Sequence, residues 1–270
     1  MPAWREVRVV RVRDGHRTNE DDRAATEEPL EIRLDGHPFV VTMRTPGDDC
    51  DLAVGFLLSE QVITGPDDLA SVDQCRTPDG QLGNVVTVTL AGAASGRLAG
   101  VLEQRRHVTQ TSACGLCGRQ SIASLATVAP RIEATWTIAS SILTGLPESL
   151  RRRQEAFDRT GGLHAAGLFS RDGQLVEVAE DVGRHNAVDK VLGRMLRHGA
   201  LPLSSSVLCV SGRASFELVQ KAILAGIPML VAVSAPSSLA IALAHAHGLT
   251  LAGFVRGTGF NIYTGAQRIA

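Results

Sequence analysis

Residues Ser206 to Val255 read SVLCVSGRASFELVQKAILAGIPMLVAVSAPSSLAIALAHAHGLTLAGFV. The apolar runs Ser206 to Val210, Ile227 to Val233 and Leu249 to Val255 read as buried strands, and the stretches Phe216 to Ala225 and Ser238 to Ala246 between them carry helical spacing. Strand alternating with helix implies α/β architecture: a largely parallel sheet covered by helices, with right-handed crossovers and ligands at the carboxyl ends of the strands. The loops Ser211-Gly-Arg213-Ala-Ser215 and Ser234-Ala-Pro-Ser237-Ser238 lie at those ends. Each feeds a helix N-terminus whose free N–H groups and hydroxyls suit a phosphate, although the same serines would serve as plain helix caps.

Upstream of that block, Leu163 to Phe169 and Gln174 to Ala179 flank the turn signal Asp172-Gly173. Ala187, Val188, Val191, Leu192, Met195 and Leu196 then share one face of a helix ended by Gly199. Arg184, His185, Asp189 and Lys190 cluster at the start of this helix, as an anion site or an internal charge network. From Thr144 to Arg159 the chain turns charged, with the run Arg151-Arg152-Arg153, and divides the protein into residues 1–145 and 146–270. The first half reads as a smaller α+β unit. It has a hairpin of Leu30 to Leu34 and Phe39 to Thr42 around Asp35-Gly36, a helix from Asp51 to Val62, a strand from Val85 to Leu90, and a helix from Arg97 to Arg106. Residues before Leu30 are rich in Arg, Asp and Glu without periodicity and read as an irregular entry strand flanked by mobile chain.

The chain has 270 residues, 44% hydrophobic and 20% charged, enough to bury a substantial core. A net charge of -1 gives no global field for nucleic acid or an anionic membrane surface. No apolar stretch is long enough to span a bilayer, and the N-terminal residues carry charges where a signal peptide needs an apolar run, so the expected location is the cytoplasm. There, 5 cysteines, an odd number, argue against a disulfide framework. Cys50, Cys75 and Cys209 stand apart from one another, and Cys209 lies inside an apolar strand.

Cys114 and Cys117 ask for chemistry. They sit in Thr111-Ser-Ala-Cys114-Gly-Leu-Cys117-Gly-Arg119, among small residues and next to a cation that favours the reactive thiolate. A tetrahedral zinc site would need further ligands, which the sequence offers only as isolated histidines, so no metal is expected. Dithiol redox chemistry and persulfide relay both fit a Cys-x-x-Cys pair, and spacing alone does not separate them.

Three motifs in order carry a resemblance: Cys114-Gly-Leu-Cys117-Gly, then Glu180-Asp-Val-Gly-Arg-His-Asn-Ala-Val-Asp-Lys190, then Ser211-Gly-Arg-Ala-Ser. With Ser234-Ala-Pro-Ser-Ser-Leu-Ala and Gly253-Phe-Val-Arg, the chain resembles the FdhD proteins, sulfurtransferases accessory to formate dehydrogenase, from about residue 29 to about residue 265. The resemblance implies a C-terminal three-layer domain similar to cytidine deaminases and an N-terminal domain bearing the cysteine loop. Deaminase chemistry is not implied, because the His-x-Glu and Pro-Cys-x-x-Cys zinc signature is missing.

Further implied are sulfur taken as a persulfide from a cysteine desulfurase, and its delivery to a molybdenum or tungsten bis(molybdopterin guanine dinucleotide) cofactor destined for the formate dehydrogenase catalytic subunit. Homodimers are implied too. Cys114 matches the persulfide-bearing position and Cys117 its relay partner. The family's cofactor-binding stretch falls on Phe254, Val255, Arg256, Gly257, Thr258 and Gly259, with Ser211, Arg213, Ser234 and Ser237 as expected anion contacts. Leu116 is bulkier than the valine expected between the cysteines, and residues 1–28 match nothing specific. The rival reading is a non-catalytic cofactor-binding chaperone, and a dithiol oxidoreductase stands third.

Overall fold

The computed structural model describes residues 2–105 and 131–270. The chain opens with a two-stranded antiparallel ribbon of β1 (Trp4–Arg13) and β2 (His16–Ala25). This replaces the expected irregular strand and mobile chain. The turn is Asp14-Gly15, both with positive φ (50° and 78°), the same signal as Asp35-Gly36 at 46° and 81°. No apolar period appears in the sequence here because the ribbon is held by cross-strand pairs: Arg11 meets Glu20 at 2.8 Å and Asp22 at 3.2 Å. At its base the Arg159 guanidinium lies 4.7 Å from the centre of the Trp4 ring.

Next come β3 (Glu28–Leu34), β4 (His37–Arg44), α1 (Asp49–Ser59), β5 (Leu69–Arg76), β6 (Leu82–Leu90) and α2 (Gly92–Arg105). The four strands form one sheet in the order β4-β3-β6-β5. β5 was not anticipated; it pairs antiparallel with β6, and its solvent-facing polar residues hide the alternation. The second half contains α3 (Ser140–Arg151), α4 (Glu155–Thr160), β7 (His164–Ser170), β8 (Leu175–Asp181), α5 (Arg184–Arg197), β9 (Ser206–Val210), α6 (Phe216–Leu224), β10 (Met229–Ala232), α7 (Ser238–His247), β11 (Thr250–Arg256) and β12 (Gly259–Thr264). Its six strands run β12-β11-β10-β9-β7-β8. β9, β10 and β11 are mutually parallel, as the alternation implied. The flanking β7, β8 and β12 pair antiparallel, so the parallel part of the sheet is its centre alone. β10 starts two residues later than Ile227 because Pro228 has no N–H for the ladder.

One face of this sheet packs on α3 through Leu143, Leu146 and Leu150, which meet Phe169, Cys209, Met229 and Val255. The opposite face packs on α5, α6 and α7, giving three layers. The 145/146 division falls inside α3. Beyond α5 lies α1, buried between α5 and the four-stranded sheet, with the Phe39 and Phe56 rings edge-on at 6.4 Å. A single apolar cluster therefore runs from Leu30 and Val86 through Leu57 and Val191 to Leu208 and Leu230. Among the described residues no helix is long and apolar enough to cross a membrane.

Candidate functional site

The parallel strands β9, β10 and β11 end along one edge of the six-stranded sheet, and on the α3 side of that edge lies a cleft of about 830 Å³. Its wall is apolar where Leu150, Leu163, Val233 and Val255 face it, and polar where Arg151, Gln154, His164, Ser211 and Arg256 do. Position follows from the fold: β7 runs antiparallel to β9, so the start of β7 and the ends of the parallel strands share this edge.

Ser211 extends the β7 and β9 pairing by one step. Its N–H donates to the Ala165 carbonyl at 3.0 Å, and its hydroxyl oxygen accepts from the Ala165 N–H at 2.9 Å. The hydroxyl hydrogen has no acceptor among the described residues. Arg256 donates from Nε to the Val233 carbonyl at 3.0 Å, which fixes the guanidinium over the end of β10. Its terminal nitrogens have no partner among the described residues. Residues 254 to 259 do form a hairpin turn, between β11 and β12, with Phe254 at φ 55° and Gly257 at φ 54°. The register shift there turns Val255 inward and brings Val255, Arg256 and Gly257 to the cleft; Phe254, Thr258 and Gly259 do not line it.

His164 is half-buried. Burial holds its imidazole below the ordinary range, the Arg184 guanidinium pushes the same way, and the Asp181 carboxylate opposes them. Arg151, at the end of α3, pairs with Asp158 at 2.5 Å and lies 4.7 Å over the Phe157 ring.

The other expected anion contacts serve the loops. Ser237 caps α7, its hydroxyl accepting from the Ala240 N–H at 3.2 Å. Ser234 donates its N–H to the Gly212 carbonyl at 3.2 Å, and Ala214 bridges to Pro236, so the two loops are tied together. Neither Arg213, Ser234 nor Ser237 lines the cleft.

The charged group at the start of α5 divides. Asp189 is buried against Lys221 Nζ at 2.6 Å and accepts from the Ser59 hydroxyl at 2.7 Å. Lys190 Nζ donates to Asp181 at 2.8 Å and to the Thr45 carbonyl at 2.9 Å. Both are network members joining the two halves. His185, also buried, faces the Ser215 hydroxyl from Nε2 at 3.1 Å. Arg184 Nε is buried without a hydrogen-bond partner among the described residues. Cys114 and Cys117 lie outside the described residues.

Residues 25–270 match the model of the FdhD/NarQ family. This chain belongs to that family. It is 52% identical to the sulfur carrier protein FdhD of Streptomyces avermitilis, over 97% of this chain and 94% of the relative. It is 49% identical to the sulfur carrier protein FdhD of Mycobacterium tuberculosis over 91% of each chain. A solved structure from Desulfotalea psychrophila, described as a formate dehydrogenase accessory protein, superposes with a TM-score of 0.77 over the whole of both chains at 25% identity.

The FdhD/NarQ match starts at the last residue of β2, so the ribbon stands almost wholly outside it. Within the matched region, the sequence motifs did not point to Gln154, His164, Arg151 or Phe157. Arg151, Gln154 and Phe157 come from the segment that composition marked only as a boundary, and His164 from the start of an expected strand, where a single polar residue carries no signal until burial is known.

Proposed function

We propose that this chain is a sulfurtransferase. It takes persulfide sulfur from a cysteine desulfurase onto Cys114, with Cys117 as relay partner, and passes it to a molybdenum or tungsten bis(molybdopterin guanine dinucleotide) cofactor required by formate dehydrogenase. In the first step the Cys114 thiolate bonds the terminal sulfur of the donor persulfide, the donor's S–S bond breaks, and the donor leaves as a thiolate. No outside oxidant or reductant enters that exchange. The reading places the protein in the cytoplasm as a homodimer.

The sulfur-carrier half is supported by relatives at about half identity that bear that name. The acceptor half rests on one observation: a cleft of about 830 Å³ at the carboxyl ends of parallel strands, with apolar walls and the Arg256 guanidinium at its rim. That size lies within the roughly 300–1,000 Å³ of sites that enclose small organic ligands. Flat ring systems suit its walls, and a phosphate suits Arg256.

Incubation with a cysteine desulfurase, cysteine and pyridoxal phosphate, followed by mass spectrometry of the peptide holding Cys114 and Cys117, tests the reading. An added sulfur on Cys114, absent in Cys114→Ala, is expected. No added sulfur under conditions that load a control acceptor would instead favour a cofactor chaperone.

A further inference from the structure

Among the described residues, the ribbon of β1 and β2 is a sheet of two strands with no third strand on either outer edge. The Thr26 N–H donates to the Ala3 carbonyl at 2.9 Å, in register with the ribbon. The odd-numbered residues of β1 therefore bond to β2, and the backbone groups of Glu6, Arg8, Val10 and Val12 point outward. The side chains of these four share one face, where Val10 and Val12 are each 60% exposed. Arg5, Arg11 and Arg13 project from the other face, and Arg13, which is exposed, pairs with no carboxylate among the described residues. β1 thus holds four arginines against the single carboxylate Glu6, in a chain whose net charge is -1. A long edge of this kind, without Pro, is open to another strand.

We propose that the outer edge of β1 docks a partner protein by strand addition, the partner supplying an extended segment that alternates acidic and apolar side chains. Apolar side chains on the outward face cover Val10 and Val12, and acidic ones on the opposite face lie beside Arg11 and Arg13. Charge selects that occupant. A second copy of β1 would set arginines beside arginines, whereas β2, the strand that β1 already accepts, brings Glu20, Asp21 and Asp22 to it. The base of the ribbon adjoins the cleft: a Cβ on Gly162, which lines the cleft, would stand 3.4 Å from the Ala25 Cβ. A partner held on the ribbon is therefore tethered beside the cleft. The inference goes beyond the sulfur-transfer reading and does not depend on it.

The test titrates the purified full chain with a labelled peptide of alternating Glu and Val, about as long as β1, following anisotropy and backbone amide exchange. Peptides of alternating Lys and Val and of Glu alone serve as controls. Binding about tenfold tighter than either control is expected, with slowed exchange at the Arg8, Val10 and Val12 amides. Val10→Pro is expected to weaken the Glu and Val peptide by about tenfold and to leave the melting midpoint unchanged, because the lost N–H points away from β2. Arg13→Glu should weaken it too, without touching the backbone edge. No binding by the wild type, equal binding of the all-Glu peptide, protection elsewhere than β1, or full binding by Val10→Pro overturns the inference. So does a wild-type dimer that Val10→Pro converts to monomer without peptide, since a second copy would then occupy the edge. Sulfur loading on Cys114 is read separately, so either inference can fail alone.

Discussion

His164 shows how one side chain makes the site and the stability pH-dependent together. Its native imidazole resists protonation because it is half-buried and faces Arg184. As pH falls below about 6.5, the unfolded chain takes up a proton that the native residue refuses, so the fold loses stability until the native imidazole protonates as well. Urea midpoints at pH 7.5 and 5.5 should differ less in His164→Gln than in the wild type; equal differences would remove His164 from the account. Asp189 and Lys221 illustrate the other kind of buried charge, a pair that contributes little net but cannot lose one member. Lys221→Met leaves the Asp189 carboxylate uncompensated and should cost about 3–5 kcal/mol in denaturant unfolding, with Asp189→Asn in the same chain recovering part of it. None of this is visible at residue scale in the sequence, where His164 and Gln154 look like any other polar residues near a boundary. Cys209 was legible, since a thiol inside a continuous apolar strand has nowhere to go but the core, where burial pushes its pKa up.

Where α1 crosses α5, two glycines let the backbones touch. A Cβ on Gly55 would stand 1.9 Å from the Asp189 carbonyl oxygen, and one on Gly193 would stand 1.8 Å from the Asp51 carbonyl oxygen. Because the obstacle is backbone, no rotamer relieves it. Gly55→Ala and Gly193→Ala should each destabilise by about 3 kcal/mol, at the upper end of the usual overpacking cost, whereas Gly145→Ala, with nothing within 4 Å of its Cβ, should not destabilise. Denaturant midpoints of the three variants provide the check. The same crossing leaves α1 without an outer polar face. Nearly every residue from Asp49 to Ser59 is buried, with the sheet on one side and α5 on the other, so no polar stripe marks an outer face. The ion pairs of Arg194 with Asp51 at 2.9 Å and Glu177 at 2.8 Å close the crossing at its rim.

At the scale of the whole molecule, the continuous apolar cluster makes the two halves one folding unit. Leu52, Leu57 and Val88 from the first half share it with Val191, Leu208 and Val219 from the second. Calorimetry should show a single transition, and a fragment of residues 146–270 should lack one, because the α1 side of α5 would be bare. A stable, cooperatively melting fragment would refute this. By contrast the β1 and β2 ribbon contributes no residue to either apolar cluster, so its removal should shift the midpoint little. Sequence alone determined the three parallel strands, the helices between them and the sheet edge at which the cleft lies, because strands buried on both faces are continuous apolar runs and the loops after them are rich in Gly and Ser. The family motifs likewise placed Arg256 at that edge. Only the tertiary structure decided that the outer strands turn antiparallel, that Ser237 is a helix cap, and that Gln154 is a buried residue on the cleft wall. The physical reason is that strand direction, capping and burial are set by partners distant in sequence, which no local pattern encodes.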